Sequence, residues 1–470
     1  MCGIAGCWQS DWDVDAALDL IAHRGPDGRG IVRAAGGAVH GHVRLSILDP
    51  LPRSDQPFVR GHITLSYVGE CWNYRELREE LAGLGYHFET EGDTEVVAVA
   101  LTEWGADALK RLEGQFAFAW THEGLGETWL ARDRFGEVPL YVLRTHGDLF
   151  NPGGFMWASE RKAFGEDFAA EADPVPAGAV WRLDEPQPRF YYESSWALQG
   201  PGEPDPAGVL AILERSVDRR LQADVPVCCL ISGGIDSSLI LSLVKQRKPD
   251  VVAYTIVFDE DSPDLAEARY VAGELDVELR EVPVPRPDEA AWREAIRAIE
   301  ITMKAQIEIA AHCLPLAERI YADGFRVVLS GEGADELFGG YGMLARQMGR
   351  TPKSEWGRVR LEGVEKMARG NFVRINKAFM AHGVEARTPY MDREMVEAVI
   401  PLSWTECPTQ KLLLREAATG LIPERIRTRK KLSFQSGSGM RDYAEVALNG
   451  QQQLRYNQIA REVFGGLPRG

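Results

Sequence analysis

The sequence predicts an α/β protein in two parts, with a parallel sheet in the C-terminal half and antiparallel strands before it. Three observations carry this. Val227-Cys228-Cys229-Leu230-Ile231 is an apolar run that reads as a buried parallel strand, and Ser232-Gly233-Gly234 turns it into a helix that opens with Ser237-Ser238-Leu239-Ile240. From Ala207 onward, helical segments alternate with short apolar strands at 251–258 and 327–329, the signature of βαβ units. In the N-terminal half, residues 112–120 and 128–133 read as neighbouring strands of an antiparallel pair.

Composition narrows the class. A chain of 470 residues is long enough for two or three domains. Its net charge of −17 argues against a nucleic-acid or anionic-membrane partner, because neutralising phosphates needs a basic surface. No apolar run is long enough to span a bilayer, and no signal peptide is visible. The seven cysteines lack CxxC spacing, which predicts reduced thiols in a cytoplasmic protein and gives no zinc signature. His40 and His42 would share a face of one strand, but no third ligand accompanies them, so they are expected to be structural.

The Ser-Gly-Gly turn carries the first chemistry. Strand, glycine turn and helix N-terminus together make an anion site, since backbone N–H groups and the helix dipole both favour negative charge. Asp236 within the turn suits a magnesium ion better than a phosphate. The Walker pattern GxxxxGK[ST] is absent. The stretch Ser232–Ser238 instead resembles the SGGxDS loop of the ATP pyrophosphatase family, which cleaves ATP between its α- and β-phosphates and transfers AMP to a carboxylate or similar oxygen.

The second chemistry sits at the N-terminus. In Met1-Cys2-Gly3-Ile4-Ala5-Gly6, loss of Met1 would give Cys2 a free α-amine, which titrates near neutrality and can act as base for its own thiol. Downstream, 23–27 is a turn, 41–49 alternates as a strand carrying Arg44, 75–84 is a helix, and Asp93 lies near the N-cap of another.

The series MCGIAG, HRGPD, RLSIL, GE, GDTEV, LEGQFAFA and ARDRFGEVPLY is similar, in order and spacing, to the class II glutamine amidotransferase domain. With SGGIDSS downstream, nearly the whole chain resembles the asparagine synthetase family, whose relatives also make β-lactams, lasso peptides and other amides. The resemblance implies a four-layer αββα N-terminal-nucleophile glutaminase domain over 1–193, a linker over 194–206, and a parallel-sheet ATP-pyrophosphatase domain over 207–470. It implies that Cys2 attacks the glutamine amide, with the Gly69 backbone N–H facing the oxyanion. Arg44 would clamp the substrate carboxylate and Asp93 its ammonium, with Leu48, Gly69 and Glu70 completing the site. Residue types agree, since a planar guanidinium pairs bidentately with a carboxylate. The family's Asn-Gly-Glu is Val68-Gly69-Glu70 here, so one oxyanion donor is missing.

In the second domain the resemblance assigns Ile231, Ser232, Gly233, Gly234, Asp236, Ser237, Ser238, Ile256, Ser330 and Gly331 to ATP. It assigns Asp236 and Asp335 to Mg2+, Glu332 to general acid/base work and Lys431 to the developing phosphate charge. The acceptor region departs: Met303 replaces an acid and Glu308 replaces an arginine. The implied reaction takes ammonia from glutamine, adenylates a carboxylic acid (aspartate by default) and forms an amide. Another carboxylic acid or a glutamine analogue is the rival substrate, and a non-catalytic sensor of glutamine or ATP is the reading from another class. A homodimer is a possible assembly.

Overall fold

The computed structural model describes residues 1–145, 153–165, 168–199, 205–341, 352–429, 440–448 and 450–468. Its first strands are β1 (Gly3–Trp8), β2 (Gly28–Arg33), β3 (Ala38–Arg44), β4 (Phe58–Arg60), β5 (Ile63–Cys71) and β6 (Gly114–His122). Then come β7 (Glu127–Arg132), β8 (Tyr141–Arg144), β9 (Phe155–Ala158), β10 (Asp173–Pro174), β11 (Ala179–Arg182) and β12 (Arg189–Phe190). They form two antiparallel sheets, ordered β10-β8-β9-β1-β3-β2 and β12-β11-β7-β6-β5-β4.

Strand alternation builds the layers. On β1, Ile4 points between the sheets toward the core that holds Leu65 and Phe116, while Ala5 and Cys7 point outward against Val14, Ala17 and Leu18 of helix Val14–Leu20. On β6, Phe116, Phe118 and Trp120 lie on one face as a row of touching rings. Helices Tyr74–Gly83 and Asp93–Trp104 cover the second sheet. Residues 93 to 101 are all buried, so this helix is walled in on every side. The result is the expected four-layer αββα arrangement.

His40 and His42 are structural. His40 Nε2 meets Thr121 Oγ1 at 2.8 Å, and His42 Nε2 meets the Tyr67 carbonyl oxygen at 3.1 Å, so each ties one sheet to the other. Burial pushes both imidazoles down to about 3, leaving them neutral. The strand expected over 41–49 stops at Arg44. Beyond it the chain curls around the Arg44 guanidinium, which donates to the carbonyls of Leu48, Asp49 and Leu51 at 3.4, 2.6 and 2.9 Å.

Helix Pro206–Arg220, capped by the Asp205 carboxylate, leads into the second part. There β13 (Val227–Leu230), β14 (Val252–Val257), β15 (Glu278–Pro283), β16 (Val327–Leu329) and β17 (Glu385–Arg387) form one parallel sheet ordered β15-β14-β13-β16-β17. The sheet is flanked by helices Ile235–Arg247, Pro263–Glu274, Lys304–Ala322 and Asn371–Met380, among others. Its strand order reverses at β13, and α/β sheets bind ligands beside such a switch point.

The two parts meet along a buried polar seam. Glu300 accepts hydrogen bonds from the backbone N–H groups of Arg161 and Lys162, both at 2.8 Å, and pairs with Lys377, itself 2.9 Å from the Tyr141 hydroxyl. Arg24 donates to Glu160 at 2.8 Å and to Asn376 Oδ1 at 3.0 Å. Glu385 pairs with the Met1 ammonium at 2.6 Å. Glu300 and Lys377 are entirely buried, so neither charge is tolerable without the other.

Candidate active sites

A small pocket opens between β3, β5 and the start of helix Asp93–Trp104, lined among others by Cys2, Arg44, Leu48, Tyr67, Gly69, Glu70 and Asp93. The structure thus gathers every residue that the sequence assigned to glutamine. The Leu45 N–H reaches Cys2 Sγ at 3.4 Å, and Arg24 Nε holds the Cys2 carbonyl at 3.0 Å. Burial raises the thiol, opposed by the nearby N-terminal ammonium and the Leu45 hydrogen bond.

Arg44 is fixed by its three carbonyl partners and by Asp55 at 2.7 Å, so its guanidinium is oriented before any ligand arrives. Asp93, the first residue of its helix after Gly92, accepts from Cys71 N–H at 2.9 Å. Burial pushes its carboxyl up to about 6 despite that bond. Glu70 turns to the seam and pairs with Arg387 at 3.2 Å, while burial keeps its carboxyl well above the usual range.

Gly69 has φ +135°, a region closed to other residues, and an added Cβ would lie 2.1 Å from the Gln115 carbonyl oxygen. Val68 is fully buried in the core and does not line the pocket.

The second site is a cavity of about 320 Å³ at the C-terminal ends of β13, β14 and β16. Ile231, Ser232, Asp236, Ser237, Ile256, Ser330, Gly331, Glu332 and Asp335 line it. Gly233, Gly234 and Ser238 shape the loop instead. Gly233 has φ +66°, and a Cβ there would fall 2.5 Å from Glu267 Cβ. Ser237 and Ser238 hydroxyls both reach the Gly234 carbonyl, at 3.3 and 2.7 Å. No side chain caps helix Ile235–Arg247, which leaves its first N–H groups open to an anion.

Glu332 is held from two sides: Asn371 Nδ2 donates to one oxygen at 2.8 Å and Arg374 to the other at 2.7 Å. Asp236 and Asp335 converge on one buried ammonium, that of Lys411, which is 2.7 Å from Asp335 and in direct contact with Asp236. Two hard carboxylate oxygens gathered around one cation are a donor set that suits magnesium, which takes few protein carboxylates and keeps its waters. Lys411 immediately precedes helix Leu412–Ala417. Its position between two carboxylates comes from a left-handed backbone (φ +59°) that no local signal announces. Lys431 lies outside the described residues.

The acceptor-side departures also fall into place. Met303 is about half exposed and absent from the cavity wall. Glu308 is buried, interacts with Tyr456 and is not among the residues that line the cavity. Glu300 belongs to the seam.

The family profile described as glutamine amidotransferase domain matches residues 1–193, and that described as asparagine synthase matches 208–365 and 352–467. Asparagine synthetase B [glutamine-hydrolyzing] of Escherichia coli (strain K12) is 31% identical over 476 residues, covering 93% of this chain and 83% of that protein. The probable asparagine synthetase of Dictyostelium discoideum is 29% identical, covering 99% and 89%. Among solved structures, a glutamine phosphoribosylpyrophosphate amidotransferase from B. subtilis is 16% identical with a TM-score of 0.34, covering 72% of this chain and 77% of its own. That likeness is too low to weigh. Two profiles that together span almost the full length, and relatives matched across both halves, show that this chain belongs to the asparagine synthetase family of ATP-dependent, glutamine-hydrolysing amidoligases.

Proposed function

We propose that this enzyme makes asparagine from aspartate, in two half-reactions at the two sites. The observation that carries the proposal is the pairing of a Cys2 pocket with a preformed cavity under the Ser-Gly-Gly loop in one chain. With Met1 removed, Cys2 Sγ attacks the glutamine side-chain amide while its own α-amine takes the thiol proton. Arg44 holds the substrate α-carboxylate and Asp93 its α-ammonium. The tetrahedral intermediate collapses to a thioester and ammonia, and water releases glutamate. The Gly69 N–H is left to stabilise the oxyanion without an asparagine beside it.

In the second half-reaction the acceptor carboxylate attacks the α-phosphorus of ATP and pyrophosphate leaves. The open N–H groups of the loop and Lys411 face the phosphates, Ile231 and Ile256 flank the adenosine, and Ser330 and Gly331 complete its site. Asp236 and Asp335 would hold Mg2+, which neutralises charge on the pyrophosphate when bound. Ammonia then attacks the acyl carbon and AMP departs. Glu332, oriented by Asn371 and Arg374, takes the proton that the ammonia loses. Lys431 is proposed as a second cation on the phosphates. Aspartate is favoured because neither Met303 nor Glu308 alters the cavity wall.

Pyrophosphate release with a panel of carboxylic acids tests the reading. Aspartate-dependent release is expected, and release with a different acid alone would refute aspartate. Size-exclusion chromatography with light scattering measures whether the assembly is the proposed homodimer.

A further inference from the structure

His312 is a buried polar group that the proposed reaction does not use. It sits on helix Lys304–Ala322, fully buried, and its ring forms part of the wall of the 320 Å³ cavity. Nδ1 faces back along its own helix, 2.9 Å from the Glu308 carbonyl oxygen. A carbonyl only accepts, so Nδ1 carries the proton and Nε2 presents a bare lone pair at the opposite end of the ring. Nε2 is buried and has no hydrogen-bond partner among the described residues. Burial lowers the imidazole to about 4, which keeps this tautomer neutral at physiological pH. An orphaned acceptor in a protein interior costs free energy unless something meets it.

Its surroundings indicate what meets it. Phe258 lies edge-on to the imidazole, with ring centroids 5.0 Å apart. Phe258 follows β14 two residues beyond Ile256, which flanks the adenosine in the proposed reaction. The same cavity is lined by the apolar side chains of Ile256, Ile309, Leu316 and Phe379, with Tyr254 and Thr255 from β14. An apolar slot with one acceptor at its edge is complementary to a flat base that carries one amino group. The charged reaction centre is elsewhere, where Gln306, more than a turn earlier on the helix, joins Arg374 and Glu332.

We infer that His312 Nε2 accepts a hydrogen bond from a donor on a substrate held in this cavity, and that the donor is the exocyclic amino group of the adenine base. This rests on the cavity being the ATP site. An N–H of the acceptor substrate offers the same chemistry, and the experiment distinguishes the two. His312 would then select adenine over a base that presents a carbonyl oxygen at the same position, where two acceptors would face each other.

The test is calorimetric titration of the full-length enzyme with Mg-ATP and Mg-ITP, without acceptor, for the wild type, His312→Phe and His312→Gln. The phenyl ring keeps the packing against Phe258 without an acceptor, and the glutamine amide restores one. Wild type is expected to bind ATP about tenfold more tightly than ITP, the phenylalanine variant to lose that preference, and the glutamine variant to regain part of it. An unchanged ATP/ITP ratio in His312→Phe, with a raised KM for the acceptor, would locate the donor on the acceptor and overturn the adenine assignment. If neither quantity moves, His312 is a packing residue and the whole inference fails. Binding of neither nucleotide to the wild type would instead refute the cavity as the ATP site, and the inference with it.

Discussion

Asp93 and Cys2 show how single residues are tuned by where they lie. In its proposed role Asp93 holds the glutamine ammonium as a carboxylate, yet burial pushes its carboxyl up to about 6. Glutamine binding is therefore expected to be intact above pH 7 and lost as pH falls through 6, because protonation removes the charge. KM for glutamine should rise about tenfold per pH unit below that value. Asp93→Asn should show a high KM with no such limb, and steady-state glutaminase assays across pH 5–8 read both. Cys2→Ala should abolish glutamine-dependent amide formation and leave ammonium-dependent formation within about twofold, since the second site is built from other elements. Loss of both activities would break the two-site model. Val68 gives a quantitative expectation as well. With one oxyanion donor absent, glutamine turnover should lag ammonium turnover at saturation, and the missing donor accounts for about 10²-fold. Equal rates would mean that another group supplies it.

At the scale of elements, the loop between β13 and its helix depends on glycine geometry. Gly233 adopts φ +66°, and an added Cβ would fall 2.5 Å from Glu267 Cβ and 2.7 Å from the Ala268 nitrogen. Gly233→Ala adds a left-handed penalty of about 1 kcal/mol and a clash against backbone, so the loop must move. The expected result is a loss of Mg-ATP binding of at least about tenfold in calorimetry, with a smaller fall in Tm. Normal nucleotide affinity in this variant would mean that the loop does not cradle phosphate. This element was legible in the sequence because its turn, strand and helix are contiguous. The curl after β3 was not. The 41–49 stretch has a strand's alternation, but Arg44 takes three main-chain carbonyls into its own hydrogen bonds and ends the ladder.

At the scale of the whole molecule, the seam makes one body of two catalytic parts. Glu300 meets two backbone N–H groups and the buried Lys377 ammonium. Glu300→Gln strands that ammonium and turns an amide NH2 toward N–H donors. The expected cost is about 3 kcal/mol, measured as a fall in the urea midpoint, because a buried charge without its partner is costly. A change below about 0.5 kcal/mol would show that the seam pair is not structural. Glu300 lies three residues before Met303 in the sequence, and in the fold it binds the first part to the second. Among the described residues no helix is long and apolar enough to cross a membrane.

The sequence by itself determined the two fold classes and pointed to residues that the structure gathers into two pockets. The reason is physical: nucleophile, glycine turns and acidic strand ends are local features, each written in a few adjacent residues. Tertiary structure decided what depends on distant partners. It set the Lys411 ammonium between Asp236 and Asp335, two residues 99 positions apart at the starts of the helices that follow two neighbouring strands of the sheet, and set Glu308 against Tyr456. It buried Val68 outside the Cys2 pocket and left His312 as an acceptor in the cavity wall. A helix face or a strand face has no inside until another element packs on it, and that choice is made by the whole chain.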